Sequence, residues 1–343
     1  MTAPTPPDLR VTLAGMPLPN PVMTASGCAA NGRELHRFFD ISRLGAFVTK
    51  SVKRDPQSGR GTPRMAETSG GMLNSIGLQG PGIHAFVAED LPWLAEVGAR
   101  VLVSIAGARA EEFAEVAHVL LDSPAREAVA GIEVNISCPN VANRGLVFAC
   151  GPDSSAEVLR QVRAVVPASF PLVAKLTPDV TDLVPIAEAA LAGGADGLTM
   201  INTLLGMAID TDRMRPHLFG VTGGLSGPAI RPVAVRAIWQ VHAAMRAGTI
   251  PEAPIIGVGG VRTGRDALEL IAAGAAAVQV GTATFADPCA PVRVLEELTS
   301  LLAARGCERI SDLVGAAHGP GAGDQRAAAR ASREATAREG ERA

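Results

Sequence analysis

The chain lacks most of the features that would place it quickly. Its five cysteines (Cys28, Cys138, Cys150, Cys289 and Cys307) are an odd, scattered set with no C-x-x-C pair, so they supply no disulfide framework, zinc site or iron–sulfur cluster. Lys and Arg form no clustered face and the formal charge is only -3, so nothing marks a nucleic-acid or anionic-membrane partner. No stretch has the uninterrupted apolar length of a bilayer crossing, and the opening MTAPTPPDLR lacks the charged and then apolar regions of a signal peptide. No G-x-G-x-x-G follows a strand to open a dinucleotide-binding unit. These absences point to a protein of the reducing cytoplasm that acts on a small molecule.

What is present is a repeating alternation. Eight short apolar runs end in small or polar residues: 21–27, 45–51, 100–107, 131–138, 171–177, 196–203, 254–260 and 276–282. Stretches with helical spacing separate most of them, at 111–121, 155–166, 182–194 and 265–275. Runs apolar on both faces suit a parallel sheet covered by helices, and eight such units predict an α/β protein, a (β/α)8 TIM barrel. A doubly wound sheet ranks second, because polar run ends come from many strands, as they do at a barrel mouth. Two insertions, 52–81 and 204–228, are long and rich in Gly, Ser and Pro, and are expected to fold back over the C-terminal mouth. Residues 1–318 read as one catalytic barrel domain and 319–343 as a low-complexity tail.

The stretch GIEVNISCPN, from Gly131 to Asn140, organises the chemistry. Ile132, Val134 and Ile136 alternate as in a strand, and Pro139 cannot join a ladder, so the strand is expected to stop at the cysteine. Cys138 would then present its thiol at a strand-to-loop junction beside Asn135 and Ser137. Glycines at Gly257, Gly259, Gly260 and Gly281 close the last two runs, where bare backbone and helix N-termini can meet a phosphate. With no dinucleotide fold, FMN fits better than a dinucleotide. Lys50 and Lys175 each end a strand at one mouth, one suited to the flavin pyrimidine edge and the other to an anionic substrate. Asn74, Asn135 and Asn202 add uncharged donors and acceptors that suit a flat, amide-rich heterocycle.

Eight segments taken together resemble the class 1 dihydroorotate dehydrogenases, most closely class 1B: ASGC at 25, TKS at 49, MLNSIGLQGPG at 72, NISCPN at 135, MINTLLG at 200, TGGLSGPAIRPVA at 222, GVGGV at 257 and VGTATFADP at 280. The likeness runs from about Leu13 to Leu313. It implies FMN-dependent oxidation of dihydroorotate to orotate in pyrimidine synthesis, with Cys138 as the base that takes the C5 proton while hydride leaves C6 for the flavin. It assigns substrate contacts to Lys50, Asn74, Asn135, Asn202 and Thr203. Flavin contacts fall on Ser26, Lys50, Ser51, Asn135, Lys175, Ile201, Gly227, Gly259, Gly260, Gly281 and Thr282. Ser104 stands where the family usually carries Asn at a flavin contact. The resemblance also implies a homodimer, joined by an iron–sulfur and FAD electron-transfer subunit if the chain is class 1B, with NAD as final acceptor; class 1A chains reduce fumarate.

Two other readings compete. Dihydropyrimidine dehydrogenases share the barrel, FMN and a similar SCP segment, but MLNSIGLQGPG and Lys50 better match a carboxylate-bearing substrate. A flavin-binding paralogue without turnover would have a degraded tip, which the Cys138, Lys50 and asparagine set opposes.

Overall fold

A computed structural model of the chain describes residues 6–137 and 148–319. All eight runs are strands: β1 (Val22–Thr24), β2 (Phe47–Val48), β3 (Val101–Ile105), β4 (Val129–Asn135), β5 (Leu172–Leu176), β6 (Gly197–Met200), β7 (Ile255–Val258) and β8 (Ala275–Val280). They form one parallel sheet in the order β1-β8-β7-β6-β5-β4-β3-β2. The ring closes between β1 and β2 through a parallel bridge from Met23 to Ala46, reinforced where Val48 N donates to Thr24 Oγ1 at 2.8 Å. A closed ring of eight parallel strands with helical crossovers is a (β/α)8 barrel, and the doubly wound alternative falls.

Alternation along each strand divides the core in two. Outward side chains such as Val103, Val134, Leu172 and Leu198 are fully buried against the helices. These include α1 (Ala110–Leu121), α2 (Pro152–Val165), α3 (Val184–Ala192), α4 (Arg231–Arg246), α5 (Gly264–Ala273) and α6 (Ala290–Ala304). Inward side chains Leu102, Val173, Ile256 and Ala277 meet an N-terminal hairpin, Val11–Leu13 with Met16–Leu18, whose turn residues Ala14 and Gly15 both have positive φ. Leu13, Met16 and Leu18 are at most 2% exposed and stop the bottom of the barrel, at about 1.5–3 kcal/mol for each side chain removed from water. Helix α5 begins with a capping box between Thr263 and Asp266 and ends at Gly274, φ +127°, so β8 starts at Ala275, within the stretch read from the sequence as helix.

The two insertions join. Strands Met65–Thr68 and Gly71–Asn74 form a hairpin from the first, and Leu204–Gly206 and Gly223–Ser226 come from the second; together they make one four-stranded antiparallel sheet. Asn74 pairs with Gly224 across the join. A Cβ on Gly223 would stand 2.5 Å from Asn74 O, so only glycine lets the strands approach here. The tail expected at 319–343 lies, apart from Gly319, outside the described residues.

Candidate active site

Strand periodicity aims a column of polar side chains into a barrel otherwise filled with aliphatic ones. Ser104 follows inward-facing Leu102 on β3, Lys175 follows Val173 on β5, and Glu133 and Asn135 share one face of β4. Pairing sets Asn135 beside Lys175 and Lys175 beside Thr199 of β6. Lys175 is 3% exposed, so it lies inside the barrel and not on the rim. Its Nζ lies 3.6 Å from Oε1 of Glu133.

At the tips a continuous run of hydrogen bonds crosses five connections. Ser51 Oγ is its hub: it meets Ser26 Oγ at 3.2 Å and Ser104 Oγ at 3.0 Å, and it accepts from Asn135 Nδ2 at 2.9 Å. Asn135 Oδ1 accepts from Ser137 Oγ at 2.8 Å, Ser137 Oγ accepts from Asn202 Nδ2 at 2.7 Å, and Asn202 Oδ1 accepts from Thr203 N at 2.9 Å. Each amide along this run is therefore held with a defined face, because its oxygen and nitrogen have different partners. Ser104 is fully buried and committed to Ser51, and its backbone N donates to Thr49 Oγ1 at 3.1 Å. The β6 tip is fixed from both sides, Ile201 N on Val258 O at 3.0 Å and Asn202 N on Leu176 O at 2.9 Å. Thr203 abuts Gly224, and Asn74 Nδ2 donates to Gly224 O at 3.3 Å, so the mouth sheet brings Asn74 to the same place.

Lys50 is half-buried at the β2 tip, in a cleft with Asn31, Ser51, Lys53 and Leu78. Lys50 and Lys175 both act on Cys28, at the β1 tip: burial pushes that thiol up to about 11 while the two lysines pull it down.

On the far side of the mouth, bare backbone gathers. Gly227, Gly259 and Gly260 all have positive φ, and a Cβ on Gly260 would stand 2.9 Å from Gly227 O and 2.7 Å from Arg231 Cβ. The loop after Gly260 is pinned because Asp266 Oδ2 accepts from Arg262 N and Thr263 N, both at 2.9 Å, while Arg231 pairs with its other oxygen. A short 3-10 turn, Pro228–Ile230, leads from Gly227 into α4, with Ile230 N donating to Gly227 O at 3.1 Å. Gly281 lies against Ala25 and Cys28, and Thr284 Oγ1 donates to Cys28 O at 3.2 Å, closing the cradle between β8 and β1. A group with a phosphate and a flat polar ring fits a mouth with this cradle on one side and the amide run on the other.

Ser26, Lys50, Ser51, Asn74, Ser104, Asn135, Lys175, Asn202 and Thr203 therefore share one mouth, with the Gly227, Gly259, Gly260 and Gly281 cradle at its edge. Cys138 lies outside the described residues. Strand β4 ends at Asn135, three positions before the expected stop at the cysteine, because Ile136 N turns back to Val134 O at 3.0 Å and Ser137 to Asn135. Glu133 and Gln279 were missed: Gln279 Nε2 donates to Glu133 Oε2 at 2.9 Å inside the barrel. The signal was there, since alternation puts Glu133 on the face of Asn135.

A family model described as dihydroorotate dehydrogenase matches residues 8–302. The chain is 50% identical over 310 residues to the dihydroorotate dehydrogenase B (NAD(+)) catalytic subunit of Geobacter sp. strain M21, covering 90% of this chain and 98% of that protein. It is 49% identical over 310 residues to the same subunit of Pelobacter propionicus, with the same two coverages. Against that of Geobacillus kaustophilus it is 47% identical over 307 residues, covering 90% and 95%.

Proposed function

This chain belongs to the dihydroorotate dehydrogenase family, and from that premise we propose that it oxidises dihydroorotate to orotate in pyrimidine biosynthesis as the catalytic subunit of an NAD-linked enzyme. The observation that carries the reading is the single hydrogen-bonded run from Ser26 to Thr203, laid between two inward lysines and a glycine cradle. Bound FMN supplies the hydride acceptor. Gly259, Gly260, Gly281 and Thr282 hold its phosphate, Ser26, Ser51, Ser104, Asn135, Ile201 and Gly227 border the ring, and Lys175 lies beside it. Lys50 takes the substrate carboxylate, and Asn74, Asn135, Asn202 and Thr203 fix the ring's amide edges. With both flanking amides of the run pinned, the substrate meets donors and acceptors that need no reorganisation. Cys138 removes the C5 proton.

A separate iron–sulfur and FAD subunit carries electrons onward, as the word catalytic subunit in the relatives' names supports. Two copies of the chain pair; Leu205, Met207, Ile209, Met214, Phe219 and Val221, all exposed on the second insertion, support a buried contact there. We place the protein in the cytoplasm; no helix among the described residues is long and apolar enough to cross a membrane. The test is anaerobic addition of dihydroorotate to the FMN-loaded protein. Bleaching of the flavin by dihydroorotate and not by dihydrouracil is expected. Protein that takes up no FMN, or that dihydrouracil bleaches instead, overturns the reading.

A further inference from the structure

Below the tips, the barrel encloses an ion pair whose acidic member the proposed chemistry does not use. Glu133 on β4 has no solvent exposure, and its Oε1 faces Lys175 Nζ at 3.6 Å. That is within ion-pair reach but too long for a hydrogen bond, and Oε1 has no hydrogen-bond partner among the described residues. The other oxygen is fixed by Gln279 from β8, at 2.9 Å. Thr199 Oγ1 and Gln279 Oε1 are also buried without a hydrogen-bond partner among the described residues. The carboxylate is thus anchored from one side and presents its free oxygen to the lysine from the other. A buried carboxylate is expensive to keep, and so is a buried ammonium; each is tolerable here only because the other is present.

We propose that Glu133 is a positioning residue that holds the Lys175 ammonium inward at the site that would take the flavin, with Gln279 fixing the carboxylate's orientation. This rests on the flavin reading above. Lysine has a long, flexible stem and turns toward water when no counter-charge holds it. With Glu133 in place, the charge stays where it stabilises the reduced, more negative ring. Without it, Lys175 swings away and the preference of the site for reduced over oxidised FMN declines.

The midpoint potential of bound FMN, measured by spectroelectrochemistry in Glu133→Gln, Lys175→Met and the double variant, tests this. Glu133→Gln is expected to weaken the preference for reduced FMN about tenfold, a potential lower by about 30 mV for a two-electron couple. In the Lys175→Met background the same change is expected to bring no further fall, and to raise thermal stability by removing an unpaired buried carboxylate. Should Glu133→Gln fail to fold, Gln279→Met loosens the carboxylate without changing charge and is expected to shift the potential in the same direction by about threefold in preference. An unchanged or raised potential in the folded single variants, or an equal fall in the Lys175→Met background, overturns the proposal while leaving the flavin reading intact. Wild-type protein that binds no FMN overturns both.

Discussion

Replacing Ser51 by alanine removes the one oxygen on which the tips of three other strands converge. Asn135, Ser104 and Ser51 are 6%, 0% and 5% exposed, so water does not readily replace what is lost. Asn135 Nδ2 loses its 2.9 Å acceptor, and a buried donor left unpaired costs about 1–3 kcal/mol. The Ser104 hydroxyl loses its 3.0 Å contact but can rotate, so its share is smaller. A total of about 2 kcal/mol translates to a Tm lower by roughly 3 °C in a chain of 343 residues. The second effect is directional. Once Asn135 can turn, Ser137 and Asn202 lose their anchor, and orotate affinity is expected to fall about tenfold, or ~1.4 kcal/mol. Thermal unfolding of the apoprotein and titration of the flavin spectrum with orotate measure the two, and Ser51→Thr, which keeps the oxygen, should restore most of both. A Ser51→Ala protein that melts within about 1 °C of wild type and binds orotate equally well would refute the hub role.

Lys50→Ala is expected to weaken orotate binding about tenfold or more, because a charge-assisted contact is worth about 1.5–3 kcal/mol, and Lys175→Ala is expected to weaken it less; equal losses in the same titration reject the division of roles. Cys138→Ser should slow flavin reduction by dihydroorotate about 10²-fold in stopped flow while orotate still perturbs the spectrum, and a near-wild-type rate per bound FMN would remove Cys138 from the mechanism. Cys28 gives a stability signature: its thiol lies at about 11 in the folded protein against 9.0 ordinarily, so between those values the folded chain holds a proton that the unfolded chain has released. Stability therefore falls as pH rises through that window, by about 2–3 kcal/mol in all. Urea midpoints across it should fall less steeply for Cys28→Ala, and identical slopes count against the buried-thiol account.

The eight strands and most of the helices were legible because a parallel barrel writes its strands as apolar runs and its helices as 3.6-residue periodicity, both local signals. Ser26, Lys50, Asn135, Lys175 and Asn202 were legible for the same reason, each being the polar residue at or near a run end. The N-terminal hairpin was overlooked although Ala14-Gly15 between VTL and MPL is a turn signal, since three-residue strands carry little pattern. Joining of the two insertions was not legible at all: Asn74 and Gly224 carry no local mark of one another. Glu133 was masked by its neighbours, because Ile132, Val134 and Ile136 describe the outward face and say nothing of what the inward one must balance.

The join between Asn74 and Gly224, which lie 150 residues apart in the chain, also sets a timetable. A growing chain delivers Lys50 and Asn74 early, yet Asn74 has only its own hairpin partner, Met65, until Gly223–Ser226 has been synthesised, by which point six barrel strands are already out. Closing so long a loop is entropically slow and rewarded only when the barrel beneath already holds the ends near each other. The mouth is therefore a late acquisition of the nascent protein. A truncated product that stops before residue 223 keeps the tips of β1 to β6 and lacks a placed Asn74, which leaves the half-made enzyme without its full grip on the substrate until the barrel is nearly complete.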